Sequence, residues 1–251
     1  MTMIRTLVST ALFAGLLTAP VTALDLSAMT PAERDAFGAQ VRTYLLENPE
    51  VIVEAINILE AQQAEQQAQA ELQVVAGNAD AIFDDGYSWV GGNPDGDITL
   101  VEFMDYRCGF CRRAVPEIVK LLEGDGNIRW IIKEFPILGE DSLASSRFAI
   151  AVRQVEGPDA YKQAHDALVE LTASVNDVTL RRLSDGLGFD TDAVLAQMNS
   201  DEVTREISET RALAQRLNIT GTPTFVLEDE MLRGFLPADQ LALIVAEKRD
   251  Q

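Results

Sequence analysis

Histidine and cysteine are nearly missing from this chain: 251 residues hold one His and two Cys. Structural zinc sites use four Cys or His ligands, more than this set supplies. A disulfide scaffold is not expected either, since a chain of this length buries an adequate core without covalent staples. Long hydrophobic runs are also lacking. No stretch beyond the N-terminus offers the roughly 18 consecutive apolar residues that mark a spanning helix. Basic residues are outnumbered, 20 Lys and Arg against 40 Asp and Glu, for a net charge of −20. Such a surface repels phosphate backbones and anionic lipid, which argues against nucleic-acid or membrane-surface binding.

The N-terminus points to export. Arg5 precedes an apolar run from Leu7 to Leu17, followed by Thr18, Ala19, Pro20 and the small-residue ending Val21-Thr22-Ala23. This order of charge, apolar stretch and cleavage site predicts a signal peptide over residues 1–23, cut after Ala23, and a periplasmic protein. Removing it takes away Arg5 and no acidic residue, so the acidic excess persists.

Residues 24–77 read as an N-terminal helical segment. Thr30-Pro31-Ala32-Glu33 combines a capping Thr, a Pro at the first helical position and a Glu at the third. Asn48-Pro49-Glu50 repeats the start signal, and Ile52, Ile56 and Leu59 recur at helical spacing. From Ala61 to Gln73 the sequence is Ala, Gln and Glu, with high helix propensity and almost nothing to bury. A solvated helical linker and a self-association helix fit equally.

Residues 78–251 read as an α/β unit. Gly91-Gly92-Asn93-Pro94-Asp95-Gly96 is a turn cluster, and Ile98–Phe103 and Ile128–Phe135 are buried strands. A helix from Cys111 to Leu122, with Pro116 inside it, lies between them. A helical insertion over about 139–217 follows, then a strand at Thr224–Leu227 and a closing helix from Pro237 to Lys248. Strand, helix, strand, insertion, strand and helix describe a sheet unit interrupted by an α-helical subdomain.

Both cysteines lie in Cys108-Gly109-Phe110-Cys111. The loop they would close is too small to constrain the unfolded chain much, so their purpose is reactive. The pair follows a strand and opens a helix, where amide groups stabilise a thiolate. Cys108 is then the exposed nucleophile and Cys111 the buried sulfur that resolves a mixed disulfide. The chemistry needs no cofactor. Two thiolates could alternatively hold Cu(I).

Val101-Glu102-Phe103 through Arg112, with Pro116, resembles the active-site strand and helix of DsbA-type thioredoxin-fold proteins. Gly221-Thr222-Pro223-Thr224 resembles their cis-proline loop. Glu33 through Glu60, with Tyr44-Leu45-Leu46-Glu47-Asn48-Pro49-Glu50, is similar to the leading domain of suppressor-of-copper-sensitivity protein C and its relatives. The resemblance implies a thioredoxin-like fold with a helical insertion, preceded by helices that in some relatives form trimers.

It also implies site residues. Glu102, six positions before Cys108, occupies the place of a buried acid that would accept the Cys111 proton. Lys133 is a candidate partner for Glu102, though a surface lysine is the simpler expectation. Pro223 would carry a cis peptide bond, and Thr222 would pair with an extended substrate chain. The strongest oxidases of the superfamily carry a His in the active-site dipeptide. Phe110 cannot donate a hydrogen bond or positive charge to Cys108, which predicts a milder oxidant. Arg112 and Arg113 are candidates to compensate, and His165 is read as a surface or core residue far from the motif.

The expected activity is disulfide isomerisation or reduction on unfolded or misoxidised exported proteins. A membrane redox partner would recycle the site, and a homo-oligomer would form through the N-terminal helices. The alternatives are a disulfide oxidase and a periplasmic copper-binding protein or chaperone using the same pair.

Overall fold

The computed structural model describes residues 28–250. The expected signal peptide at 1–23 lies outside them. The chain divides into two compact units between Ala61 and Gln62. Helix α1 (Pro31–Glu47) begins at a capping box: Glu33 N donates to Thr30 Oγ1 at 3.3 Å, and Thr30 N to a Glu33 carboxylate oxygen at 2.8 Å. Helix α2 (Glu50–Ala76) starts two residues after the α1 cap at Asn48. No residue of α1 is buried, and Phe37, Val41, Tyr44, Ile52, Val53, Ile56 and Leu59 are all exposed. Among the described residues of α1 and of α2 up to Ala61, none is buried.

In the second unit α2 ends with Val75 buried, followed by α3 (Ala79–Phe83). A five-stranded sheet has the order β1-β3-β2-β4-β5. Its strands are β1 (Trp89–Gly92), β2 (Ile98–Met104), β3 (Ile128–Glu134), β4 (Thr224–Leu227) and β5 (Glu230–Arg233). Helix α4 (Gly109–Asp125) provides the crossover between the parallel pair β2 and β3, and the other pairings are antiparallel. β2 is central and covered on both faces, which explains why every residue of it except Thr99 is buried. Alternation sorts its side chains into two cores. Leu100 and Met104 pack with Trp130, Ile132 and α4, while Val101 and Phe103 pack with Ile131, Phe135, Val75 and Ile82.

Between β3 and β4 lie α5 (Glu140–Glu156), α6 (Pro158–Glu170), α7 (Asp177–Leu187), α8 (Thr191–Gln197) and α9 (Asp201–Arg216). Side chains of Asn176, Asp190 and Ser200 accept from backbone amides at the starts of α7, α8 and α9. Helix α10 (Ala238–Arg249) closes the chain against α4.

Two strands differ from the sequence reading. Gly91 and Gly92 belong to β1 and not to a turn. A Cβ on Gly91 would overlap the Trp89 ring, and one on Gly92 would overlap the Ile128 carbonyl, so glycine here serves close packing. The β4–β5 hairpin turns at Glu228 and Asp229, with Glu228 at φ 54°, and carries none of the usual Asn-Gly or Asp-Gly chemistry.

Candidate redox site

Cys108 is the N-cap residue of α4, with extended backbone angles, and Arg112 N donates to its carbonyl at 3.1 Å. The side chain therefore sits at the head of the helix, against its free amides. Both cysteines are free thiols. Burial alone would push the Cys108 thiol up. Hydrogen bonding from the Thr222 side chain, from Cys111 and from the Phe110 amide overcomes it, leaving the pKa below the ordinary thiol value. Cys111, one turn inside α4 and fully buried, moves the opposite way: burial and then the Glu102 charge raise its pKa far above the usual range. One helix turn holds a sulfur that ionises easily and one that does not.

Cys108 is less exposed than expected. Only 7% of its surface is free, whereas Phe110 beside it is 54% exposed. The Thr222 loop lies against the sulfur: Cys108 Sγ donates to the Thr222 carbonyl at 3.2 Å, and the Thr222–Pro223 bond is cis. A residue distant in sequence thus closes over the thiol.

Glu102 is fully buried on the central strand. Burial first, with the Glu134 and Cys108 charges adding, pushes its pKa up to about 8 against an opposing pull from Trp130. Neither of its oxygens nor Trp130 Nε1 has a hydrogen-bond partner of good geometry. Lys133 does not meet it. In the parallel register Glu102 stands opposite Ile132, so Lys133 falls on the other face of the sheet. Nor is Lys133 a surface residue. It is fully buried, and its Nζ reaches Asp85 at 2.5 Å and the Ala81 carbonyl at 2.9 Å.

The basic residues after the motif do not face Cys108. Arg112 donates to the carbonyls of Tyr106 and Leu171 at 2.8 and 2.6 Å. The Arg113 guanidinium lies 4.4 Å from the Phe110 ring centroid and 5.5 Å from that of Phe235. His165 is fully buried, and its Nδ1 lies 3.2 Å from the Tyr106 hydroxyl, two residues from the nucleophile position. It is a core histidine close to the motif, not remote from it. Asp105, unnoticed in the sequence, holds the turn: its carboxylate accepts from the amides of Arg107, Ile137 and Leu138 at 2.7, 2.8 and 3.0 Å. Aspartate two residues ahead of an amide was the available signal. Among the described residues no group of three or more His, Cys, Asp or Glu is placed to hold a metal.

A family model described as a DSBA-like thioredoxin domain matches residues 99–246. The chain belongs to this family. Its fold is the thioredoxin-like one with preceding helices, and residues 33–66 match the model of the copper resistance protein ScsC N-terminal domain. A thioredoxin-like oxidoreductase from Silicibacter pomeroyi is 40% identical with a TM-score of 0.64, covering 68% of this chain and 98% of its own. A linker-deleted ScsC from Proteus mirabilis is 27% identical at TM-score 0.66 and covers 90% of this chain and 99% of its own. Disulfide bond formation protein D of Bacillus subtilis is 25% identical over 60% of this chain and 72% of its own length. Other relatives are far longer: the match to a Na(+)/H(+) antiporter of Salinispora tropica, 23% identical, spans 58% of this chain and 22% of that protein.

Proposed function

We propose that this chain is a periplasmic thiol–disulfide oxidoreductase that isomerises or reduces disulfides of exported proteins through Cys108 and Cys111. One observation carries the reading: a low-pKa thiol at a helix head, under a Thr222–Pro223 loop, above a buried high-pKa thiol beside Glu102.

The Cys108 thiolate attacks a substrate disulfide, forming a mixed disulfide and releasing one substrate thiolate. Cys111 then gives its proton to the Glu102 carboxylate and attacks the Cys108 sulfur. The second substrate sulfur leaves and the pair is oxidised, to be re-reduced by a membrane dithiol partner. In isomerisation the released substrate thiolate instead attacks another substrate disulfide, and the thiolate freed there attacks the mixed disulfide and expels Cys108 as a thiolate. An extended substrate backbone fits beside Thr222 as an added strand.

Phe110 supports the isomerase or reductase direction over the oxidase. It offers Cys108 no side-chain donor, and its ring is occupied by Arg113. The uncovered apolar residues of α1 and α2 support self-association, which would place several thiols within reach of one substrate. The order of charge, apolar run and small-residue ending in residues 1–23 supports the compartment.

Insulin reduction and repair of scrambled ribonuclease, with dithiol supplied, test the reading. Wild-type protein should do both, and Cys108→Ser neither. Retention of both by Cys108→Ser overturns the proposal. Oxidation of reduced ribonuclease without repair of the scrambled form assigns the oxidase role instead.

A further inference from the structure

Two acids, not one, are buried on the sheet face beneath the thiols. In the parallel register Glu102 stands opposite Ile132 and Met104 opposite Glu134, so Glu102 and Glu134 are diagonal neighbours on one face. The exchange steps above make no use of Glu134, yet it is tied to the turn that carries Cys108. Its Oε1 accepts from the hydroxyls of Tyr106 and Tyr161 at 2.8 and 2.6 Å. Tyr106 precedes Cys108 by two residues, and its carbonyl takes the Arg112 Nε–H. Glu134 Oε2 is buried with no protein partner. Beside Glu134 lies a cavity of about 10 Å³, the room of a single water, bordered by Tyr87, Arg153, Tyr161, Glu206 and Thr210.

We propose that Glu134 is a positioning residue for disulfide exchange: its charge, fixed by Tyr106 and Tyr161, sets how readily Glu102 takes or gives the Cys111 proton. The inference rests on the exchange reading of the cysteine pair.

Two like charges on one dry face cannot both form cheaply, so the better solvated carboxyl ionises first. Glu134 is that one. Burial raises it only to about 7, because Tyr161 and Tyr106 hydrogen-bond its carboxylate. Glu102 lacks such donors and feels the Glu134 charge, which helps hold it near 8. Between those two values the negative charge of the face sits mainly on Glu134, and Glu102 mainly keeps its proton. When a substrate thiolate attacks Cys108 of the oxidised pair, the S–S bond breaks and its electrons pass to Cys111. The Glu102 proton goes to that sulfur. In the reverse step Cys111 returns the proton to Glu102 in the fraction of molecules where that carboxyl is ionised.

The neighbouring groups do not cancel this coupling. From α4, Cys108 and Cys111 face Glu102, and from β3, Trp130. Around Glu134 stand Asp105 of the turn, Ser146 and Arg153 of α5, Tyr161 and His165 of α6, and Glu206 of α9. Burial pushes His165 down to about 4, so it is neutral here. Arg153 is committed to Glu206 through contacts of 2.8 and 2.7 Å.

The test is a carboxyl-carbon NMR titration of the full, reduced protein labelled at glutamate, with Glu102→Gln used for assignment. In Glu134→Gln the Glu102 midpoint should fall by about one unit. The pH at which Cys111 resolves a mixed disulfide at half-maximal rate should fall with it. Tyr161→Phe keeps the carboxyl but removes one donor, so Glu134 carries less charge and Glu102 should shift the same way by less. That variant reads the coupling even where Glu134→Gln does not fold. A Glu102 midpoint unchanged in folded variants overturns the inference. Because the titration needs no turnover, a wild type that exchanges no disulfide rejects the redox reading, and the positioning role with it, separately from the midpoints.

Discussion

Cys108 Sγ meets the carbonyl oxygen of Thr222 at 3.2 Å across 114 positions of sequence. That contact favours the thiol, since only S–H can donate to a carbonyl. The Thr222 side chain acts oppositely and helps lower the Cys108 pKa. One residue thus holds the sulfur in both protonation states.

Replacing the hydroxyl separates the two effects. Thr222→Val keeps the carbonyl and loses the donor to the thiolate, so the Cys108 pKa should rise by about half to one unit. Iodoacetamide alkylation at pH 7 should slow about three- to tenfold, because one unit is a factor of ten in thiolate. Rate against pH measures it, and an unchanged midpoint would remove Thr222 from the site.

Phe110→His places a donor and partial positive charge two residues from Cys108. The thiolate, and with it the reduced form, should be stabilised, raising the reduction potential by about 30 mV or more, equivalent to about 1.4 kcal/mol. Equilibration against glutathione checks this.

Glu102 gives a pH signature in stability. The unfolded carboxyl loses its proton near 4.5, the folded one near 8. Between those values the unfolded chain gains ionisation that the folded protein lacks, so stability falls as pH rises through the window. Glu102→Gln should remove its share of that slope and stabilise the reduced protein at pH 8 by an amount on the order of a few kcal/mol. Urea denaturation at pH 4.5 and 8 compares them, and an equal slope in both proteins contradicts the burial argument.

Lys133 makes the contrasting case. Lys133→Ala leaves Asp85 buried without its partner, which should cost about 3–5 kcal/mol. Because Lys133 faces away from Glu102, the Cys108 alkylation midpoint should stay where it is. A shifted midpoint would place the pair on the redox face after all.

The uncovered faces of α1 and α2 predict a concentration-dependent oligomer. Val53→Glu with Leu59→Glu should reduce the solution mass to that of a monomer, measured by sedimentation, and lower ribonuclease repair more than insulin reduction. A monomeric wild type would leave these helices as a linker.

Most of the frame was legible locally. The C-x-x-C after an apolar strand placed Cys108 at a helix start, and Thr30 with Glu33 fixed the first helix through backbone amides four residues away at most. β4 was legible because the β-prone segment Thr224–Leu227 directly follows the turn signal Gly221-Thr222-Pro223. β1 and β5 were not: Gly91 and Gly92 mimic a turn, and the Glu228-Asp229 hairpin lacks turn chemistry.

By itself the sequence determined the composition of the redox pair, its helix-head setting, the acid six residues before it and the acidic surface. Those depend on contacts within a few residues or on counts. Tertiary structure alone decided which face each strand residue takes, and so that Lys133 belongs to Asp85 while Glu134 joins Glu102. Strand register and the closure of the Thr222 loop are relations between segments far apart in the chain, and no local pattern encodes them.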